Sequence, residues 1–384
     1  MGLLNKINIK FILLILLLTF IIGNISSVLA TDVGTDSKLT KKSSKTNNNL
    51  KKKLKITTKN LNKKYGDYRK FQVRITKNGK GISNIKIRLT IKSKNYYKLT
   101  NNDGIAKLGT SNLKIGKYKI KSVIHNNAKY YSKTNTNRIT VNSQNPYKLT
   151  RLKWGSKGNI NKNTILVQNI PKTKLTQKII NICKKGTPLI QFGNGHGQKV
   201  LIVAGVHGNE LSSQAATFKL INKIYKSKSK IKGTIYIIPI LSPKSTSLNK
   251  RYYNKLNLNS VANKKGTLSY KLVNYAESKN INVVGDFHCT RPGGDPGKNI
   301  AMGTYLPCKY SAILAKYISK KTKNQYLIYD YAGTEYPGAV EDALNLKNIT
   351  SVTCEVISPH GKIKRGSILK SYKMMKALLK YYNV

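Results

Sequence analysis

The sequence predicts a multidomain protein, an all-β sandwich followed by an α/β domain whose sheet is covered by helices on both faces. Between about residues 56 and 142, apolar and polar residues alternate in short runs that are separated by turn sequences such as Asn102-Asp103-Gly104. After about residue 171, buried-type strands alternate with segments of helical periodicity, which is typical of a parallel or mixed sheet between two helical layers.

The first 55 residues precede both predicted domains. Residues 1–30 have the features of a secretory signal, with an apolar run at Phe11–Ile22 and small residues near Ala30. This run is shorter than the roughly 18 residues of a spanning helix, so we predict a secreted or cell-surface protein without a membrane span after signal removal. Retention of the segment as an anchor is the alternative. Residues 31–55 are rich in Lys, Asn, Ser and Thr and predict a flexible tether.

Five period-two segments define the predicted sandwich at 56–142, and they are Phe71–Ile75, Ile85–Ile91, Ile105–Leu108, Lys117–Lys121 and Arg138–Val141. The pattern resembles the immunoglobulin-like modules of prokaryotic surface proteins. It contains no cluster of chemically reactive groups, and its single histidine, His125, is predicted to lie on the surface. We therefore expect it to space or attach the domain that follows, with residues 143–170 as a connector and 171–384 as that domain.

The net charge is +58, from 71 basic and 13 acidic residues. Lysine predominates over arginine and is spread along the chain, whereas recognition of bases and phosphates favours arginine, so we predict no nucleic-acid partner. An AT-rich coding sequence would produce the same surplus of Lys, Asn, Ile and Tyr. The charge nevertheless predicts weak, salt-sensitive adhesion to anionic cell-envelope polymers.

The α/β domain contains five predicted strands and five predicted helices in alternation. The strands are Lys199–Val206, Thr234–Ile240, Ile281–Phe287, Tyr326–Tyr329 and Ser351–Ile357. The helices are Glu210–Tyr225, Gly266–Ser278, Lys309–Lys323, Gly338–Leu344 and Ile368–Tyr382.

Four of the scarce histidine and glutamate residues lie at or just after strand ends: His207, Glu210, His288 and Glu355. Ligands of open α/β sheets bind at the carboxyl ends of strands, so these side chains are expected to meet at one edge. A catalytic zinc often has two histidines and one glutamate as ligands, and a further carboxylate serves as general base. We predict one Zn²⁺ held by His207, Glu210 and His288, with Glu355 as the base. Asp286, on the same strand face as His288, is predicted to orient that histidine.

The remaining histidines and the cysteines are assigned ordinary structural roles. His196 is predicted in a hairpin turn and His360 in a loop after Pro359, and a place at the pocket rim is the alternative for His360. The four cysteines could pair in three ways, and the sequence does not choose among them. Cys289 and Cys354 each adjoin a predicted site residue on a strand, so their side chains should point away from the metal.

The motifs His207-Gly208-Asn209-Glu210, Asp286-Phe287-His288 and Thr353-Cys354-Glu355-Val356 resemble the zinc carboxypeptidase superfamily, and among its branches the succinylglutamate desuccinylase/aspartoacylase branch. The resemblance covers about residues 190–384. It implies a three-layer α/β/α fold with a mixed sheet, one zinc ion and hydrolysis of a peptide or N-acyl amide substrate. It also implies that Arg251 polarises the scissile carbonyl.

The sequence departs from this family at one substrate-binding position. The usual Asp-Leu-Asn-Arg run reads Asn257-Leu258-Asn259-Ser260, which keeps the asparagine at 259 but lacks the arginine. An arginine binds a carboxylate through two hydrogen bonds, and serine cannot replace it. Either another cation such as Arg291 takes this role, or the substrate has no carboxylate there. Tyr336 is predicted either to form a pocket wall or to belong to a plain turn.

These observations predict an exported zinc-dependent hydrolase that cleaves an amide or peptide bond, in the manner of a carboxypeptidase or an acyl-amino-acid deacylase. A peptide of the cell envelope is the expected substrate, and a secreted peptidase acting on external peptides is the nearest alternative. A different alternative is a non-catalytic cell-surface adhesin that uses a degenerate zinc-hydrolase scaffold.

Overall fold

A computed structural model describes residues 51–384 of the chain. The predicted signal at 1–30 and residues 31–50 of the predicted tether lie outside the described residues. Within residues 51–384, no helix has the length and apolar character needed to cross a membrane.

The amino-terminal portion consists of two β-sheets with a shared apolar core. Its alternation is clearest in the segment from 71 to 75, where Phe71, Val73 and Ile75 are buried while Gln72 and Arg74 are exposed. The strands are β1 (Lys55–Thr58), β2 (Leu61–Lys64), β3 (Phe71–Lys77), β4 (Lys80–Gly81), β5 (Lys86–Ile91), β6 (Lys94–Leu99), β7 (Ile105–Leu108), β8 (Gly116–Ile124) and β9 (Lys133–Asn142). One sheet contains β1, β3, β4 and β7, and the other has the order β2-β9-β8-β5-β6.

The carboxyl-terminal portion contains an eight-stranded mixed sheet. Its strands are β10 (Tyr147–Leu152), β11 (Thr187–Phe192), β12 (Lys199–Ala204), β13 (Thr234–Ile238), β14 (Val283–Thr290), β15 (Ile300–Leu306), β16 (Gln325–Tyr331) and β17 (Thr350–Ile357). The strand order is β10-β11-β13-β12-β14-β17-β15-β16. The central neighbours β13, β12, β14 and β17 are parallel, whereas β10, β11 and the β17–β15 pair introduce antiparallel contacts.

Helices cover both faces of this sheet, as the sequence predicts. They are α1 (Thr164–Asn169), α2 (Lys174–Cys183), α3 (Leu211–Tyr225), α4 (Pro243–Ser247), α5 (Leu268–Ser278), α6 (Lys309–Thr322), α7 (Val340–Asn345) and α8 (Ser367–Tyr381). One apolar core joins alternate strand residues to α2, α3, α6 and α8. A second core joins the intervening residues to α5 and α7. The domain is therefore a three-layer α/β/α structure.

The structure differs from the predicted domain boundary. Residues 147–152, within the predicted connector 143–170, form the strand β10, which pairs along its whole length with β11. Its residues are only half-buried because β10 is an edge strand, so the apolar signal of the segment is weak. The α/β sheet therefore begins before residue 171.

The carboxyl ends of three adjacent parallel strands define the edge at which the candidate site lies. In the hydrogen-bonding register, Ala204 of β12 faces Phe287 of β14, and His288 of β14 faces Glu355 of β17. The chain leaves β12 through Gly205, whose positive φ of 72° is a conformation that glycine adopts without strain. At Gly208, a Cβ atom would lie 2.2 Å from the backbone carbon of Ser245, so only glycine fits this close approach.

Candidate metal centre

The turn between β12 and α3 brings His207 and Glu210 together. Glu210 occupies the N-cap position of α3, yet its side chain makes no capping hydrogen bond to the helix. Its carboxylate points instead toward His207, with Oε1 2.7 Å from Nδ1 of that ring. Both side chains are 2 % exposed, so this is a buried polar pair.

The second histidine approaches the same carboxylate from β14. Nδ1 of His288 lies 2.9 Å from Oε2 of Glu210, and the two imidazole rings are 5.1 Å apart between centroids. The backbone N–H of Cys289 also donates to Oε2, at 3.0 Å. Candidate ligand atoms of His207, Glu210 and His288 all lie within 4.8 Å of one another.

Each imidazole is held from behind through its other nitrogen. Oδ1 of Asn257 lies 2.7 Å from Nε2 of His207. Oδ2 of Asp286 lies 2.8 Å from Nε2 of His288, in an ion-pair contact without hydrogen-bond alignment, and Asp286 is fully buried. Such partners fix the orientation of metal-binding histidines. The sequence identified Asp286 in this position but not Asn257.

Burial and neighbouring charges shift the pKa values of the buried groups. Burial opposes the ionisation of Glu210, but the charges and hydrogen bonds of His207 and His288 outweigh it and hold its pKa well below the ordinary range. Burial likewise opposes protonation of His288, yet Asp286 and Glu210 raise its pKa well above the ordinary value. The centre therefore favours the ionised form of Glu210, which is the form that binds a metal.

This donor set fits a zinc ion. Two imidazole nitrogens and one carboxylate converge from a single turn and one strand end, and His2Glu is a known ligand set of catalytic zinc. The convergence of both Nδ1 atoms, each with its Nε2 engaged by a separate partner, is the arrangement that such a metal requires.

Glu355 extends from β17 beside this centre. Its Oε2 atom is buried and has no hydrogen-bond partner among residues 51–384. Burial raises its pKa well above the ordinary value, and the charge of Glu210 adds to the rise, while His288 and Arg251 oppose it. A carboxyl group with a raised pKa next to a metal-type ligand set is suited to accept and return a proton.

Two further basic side chains lie around Glu210. Nη1 of Arg251 donates to Oε1 of Glu210 at 2.8 Å, and the Arg251 side chain is 33 % exposed. Nε2 of His360 donates to the backbone oxygen of Cys289 at 2.9 Å and lies 3.8 Å from Oε1 of Glu210. His360 thus lies closer to the centre than the sequence indicated, because the next residue, Gly361, is hydrogen-bonded to Asn209.

The three predicted substrate-binding residues have different surroundings. Oδ1 of Asn259 accepts the backbone N–H of Val340 at the start of α7, which gives this asparagine a structural contact. The Tyr336 hydroxyl donates to Asp295 at 2.9 Å and its ring packs edge-on against Tyr329. Arg291 is exposed at the start of the loop after β14, and it makes no ion pair with any described residue.

Apart from His360 and the backbone of Cys289, the residues that were assigned structural roles have no contact with Glu210. His125 and His196 are exposed. All four cysteines are buried and unpaired. Cys289 and Cys354 belong to the core on the face of the sheet opposite α5 and α7, so their side chains point away from His288 and Glu355.

Comparison with known proteins gives a match over one stretch of the chain. Residues 196–295 match the family model of the succinylglutamate desuccinylase/aspartoacylase catalytic domain, a range that includes His207, Glu210 and His288 and ends before Glu355. No curated protein matches the chain.

Several solved structures are similar to part of the chain. A succinylglutamate desuccinylase/aspartoacylase from Rhodobacter sphaeroides is 16% identical, with 53% of this chain and 61% of that chain covered and a TM-score of 0.40. The product-bound ectoine utilization protein EutE (DoeB) from Ruegeria pomeroyi is 18% identical, with 52% of this chain and 62% of that chain covered and a TM-score of 0.42. Carboxypeptidase A from Helicoverpa armigera is 11% identical, with 52% of this chain and 66% of that chain covered and a TM-score of 0.41. The chain spans about three fifths of the length of the first of these structures.

Proposed function

We propose that this protein is a zinc-dependent hydrolase of amide or peptide bonds. The observation that carries the proposal is the convergence of two histidine Nδ1 atoms on the Glu210 carboxylate, with Glu355, whose Oε2 atom is buried, on the neighbouring strand. The match of residues 196–295 to a catalytic domain of deacylating enzymes supports the same chemistry.

Each group of the centre has a distinct role in the proposed reaction. A zinc ion held by His207, Glu210 and His288 would activate a water molecule and polarise the scissile carbonyl. Glu355 accepts a proton as the water attacks and passes it to the leaving amine, for which its raised pKa is suited. The partly exposed Arg251 side chain stabilises the negative charge that develops on the carbonyl oxygen.

The substrate proposal is a peptide or N-acyl amide of the cell envelope. Ser260, in place of the family's arginine, leaves a substrate carboxylate without its usual partner. Arg291 supports an alternative contact, because it is exposed beside β14 and has no ion-pair partner among the described residues. Release from the cell or retention at its surface, and adhesion to an anionic envelope polymer, belong to the same proposal and rest on the sequence of residues 1–30 and on the charge.

We also propose that residues 56–142 are an immunoglobulin-like spacer or attachment module. The strand order supports this assignment. β3 lies between β1 and β7 in one sheet, and β8 lies between β9 and β5 in the other, which corresponds to the division of strands in immunoglobulin-like sandwiches. Mutual packing of the two sheets around one apolar core supports it further.

Metal analysis combined with a substrate panel tests the proposed activity. The protein is purified without chelators, its zinc content is measured, and hydrolysis of N-acyl amino acids and of short peptides is assayed before and after chelation. We expect one zinc ion per chain and turnover that chelation abolishes and zinc restores. Absence of bound metal, or turnover that persists after complete metal removal, would overturn the proposal. One zinc ion without turnover on any member of the panel would favour the binding-protein alternative.

A further inference from the structure

A cavity lies between the amino-terminal β-sheet portion, here called the β unit, and the α/β domain. It lies on α2 and α3, whereas the candidate metal centre lies at the strand ends. Its volume is about 650 Å³, which falls within the range of small-molecule sites. The β unit contributes Tyr65 and the segment 114–116, and the α/β domain contributes β10, the start of α2 and the end of α3. Hydrogen bonds from Gln144 to the Tyr65 backbone and from Ser143 to the Tyr225 backbone hold these two sides together.

The lining of this cavity is positively charged without compensation. Lys114 comes from the β unit, and Lys174, Lys178 and Lys226 come from the α/β domain. All four are exposed, and none of the described residues that line the cavity is acidic. Lysine is a compact point charge on a flexible stem, so such a group suits carboxylate or phosphate groups spaced along a ligand.

Tyrosine rings form the other part of the lining. Tyr65, Tyr147 and Tyr225 are half-buried, and the rings of Tyr147 and Tyr225 pack edge-on with centroids 5.5 Å apart. Nζ of Lys178 lies 3.5 Å from the Tyr147 hydroxyl, which brings charge and ring into one place. Tyrosine combines an apolar ring face with a polar hydroxyl, a combination that suits a ligand with both ring faces and hydroxyl groups.

We infer that this cavity binds a segment of an acidic glycan, an oligosaccharide whose sugar rings carry carboxylate or phosphate groups. The sugar rings pack on the tyrosines while the four lysines neutralise the acidic substituents. The site is separate from the metal centre, so the glycan is bound rather than cleaved there. It gives the basic surface of this protein a specific point of attachment.

A second lysine-lined cavity provides a matched comparison. It lies between α3 and α8, has a volume of about 420 Å³, and contains Lys376 and Lys380. These two lysines have the same i, i+4 spacing as Lys174 and Lys178 and are also exposed, but Tyr372 is the single tyrosine in the lining of that cavity. Five lysines line this cavity and four line the first, so charge alone would favour polyanion binding at the cavity between α3 and α8.

Calorimetric titration with three hexameric probes tests the inference. The probes are hexagalacturonate, which has rings and charge, hexaglutamate, which has charge alone, and maltohexaose, which has rings alone. We expect one hexagalacturonate per chain, bound at least tenfold more tightly than either other probe. Lys174→Ala/Lys178→Ala should weaken this binding about tenfold, while Lys376→Ala/Lys380→Ala leaves it within twofold. Lys114→Ala, from the β unit, should weaken it by a smaller factor.

Two results would contradict the inference. If hexaglutamate binds as tightly as hexagalacturonate, the cavity accepts any polyanion, and the assignment to an acidic glycan is overturned. Equal losses in the two double variants would reduce the binding to nonspecific attraction and overturn the site. Circular dichroism and amide hydrolysis serve as controls. If a variant is folded and hydrolyses amides at the native rate, its loss of glycan binding comes from the cavity. Since hydrolysis is measured separately, failure of the glycan site leaves the proposed activity untouched.

Discussion

At the scale of single residues, the two nitrogens of each histidine in the candidate metal centre have different partners. Nδ1 of His207 and Nδ1 of His288 face Glu210, whereas the Nε2 atoms contact Asn257 and Asp286. The partner of His207 is a neutral amide, and the partner of His288 is a carboxylate. A polar partner at the second nitrogen orients the ring, and a carboxylate there also raises the basicity of the nitrogen that binds the metal. The two histidines should therefore differ in how strongly they bind a metal.

Asn257 offers a direct test of this positioning. Asn257→Ala removes the contact to Nε2 of His207 and should weaken zinc binding by about 10- to 100-fold, the usual effect of losing such a partner. Asn257→Asp keeps an acceptor and adds charge, so its affinity should equal or exceed that of the native protein. The measurement is competition for zinc against a chromogenic chelator. Equal affinities of all three proteins would show that Asn257 does not position His207.

Glu355 is predicted to move protons without holding the metal. Glu355→Gln should retain one zinc ion per chain and lower kcat by about 10²–10⁴-fold, the contribution typical of a general base. Glu277→Gln, at an exposed surface position, is the matched control and should change neither value. His207→Ala should lose the metal as well as the activity. A Glu355→Gln protein with native kcat would remove Glu355 from the proton-transfer step.

The sequence predicted some of these residues because their positions follow from local rules. His288 and Glu355 end parallel strands, and His207 and Glu210 occupy the turn after one, so the edge at which they meet can be inferred without coordinates. Asn257 is 50 residues from His207 and lies in a loop, so no periodicity relates the two. An ordinary loop was preferred to the pocket rim for His360 for the same reason, since its approach to Glu210 depends on a loop-to-loop hydrogen bond at Gly361.

At the scale of elements, α7 brings two acidic residues into the interior. Glu341 and Asp342, in its first turn, are 3 % and 4 % exposed. Glu341 accepts a hydrogen bond from Asn345, which also donates to Thr304, so the helix is joined to β15 through buried polar contacts. Burial raises the pKa of Glu341 well above the ordinary value and that of Asp342 to about 6. The helix therefore contains ionisable groups that oppose folding when they are charged.

The pH dependence of stability follows from the Asp342 carboxyl group. Its pKa rises from 3.8 to about 6 on folding, so the folded state binds the proton more tightly than the unfolded state between these values. Protonated Asp342 therefore contributes stability that is present below about pH 4. This contribution is lost as the pH rises from about 4 to 6, and it remains absent at higher pH. Asp342→Asn should raise the free energy of unfolding by about 1 to 2 kcal/mol at pH 7.5, and by much less at pH 4.

Urea unfolding of the two proteins at pH 4 and pH 7.5 measures this difference. Asp330→Asn, at an exposed position on β16, is the matched control and should leave both curves unchanged. A gain that is the same at both pH values would show that the substitution acts through packing rather than through charge.

Elements with strong periodicity were predictable from the sequence. Elements whose residues are determined by contacts with residues distant in the sequence were not. The helices α3, α5, α6 and α8 lie close to their predicted bounds because apolar residues recur at helical spacing. β15 was not predicted. Its Gly303 interrupts the apolar run, and this glycine is required because a Cβ atom there would lie 2.7 Å from Oγ of Ser311 on α6. β11 was missed as well, since Pro188 is typical of an edge strand or of a segment outside a sheet.

At the scale of the whole molecule, the charge is far from balanced. Within residues 51–384, three ion pairs join Lys or Arg to a carboxylate, at Arg69–Asp67, Arg251–Glu210 and Lys347–Glu277. The complete chain has 71 basic and 13 acidic residues, so most of its basic side chains have no acidic partner. A protein with this imbalance is destabilised by repulsion among its own charges when it folds into a compact shape.

Salt should therefore stabilise this protein. Screening shortens the range of repulsion, and the Debye length falls from about 30 Å at 0.01 M to about 8 Å at 0.15 M ionic strength. We expect Tm to rise as NaCl increases from 0.01 M to 0.5 M, with most of the rise below 0.15 M. Calorimetry with the complete chain measures it. The Lys174→Ala/Lys178→Ala protein should show nearly the same rise, because the repulsion is spread over the whole surface. A rise confined to the native protein would instead indicate that anions stabilise the fold by binding in the tyrosine- and lysine-lined cavity, and a fall in Tm would mean that attractive ion pairs outweigh the repulsion.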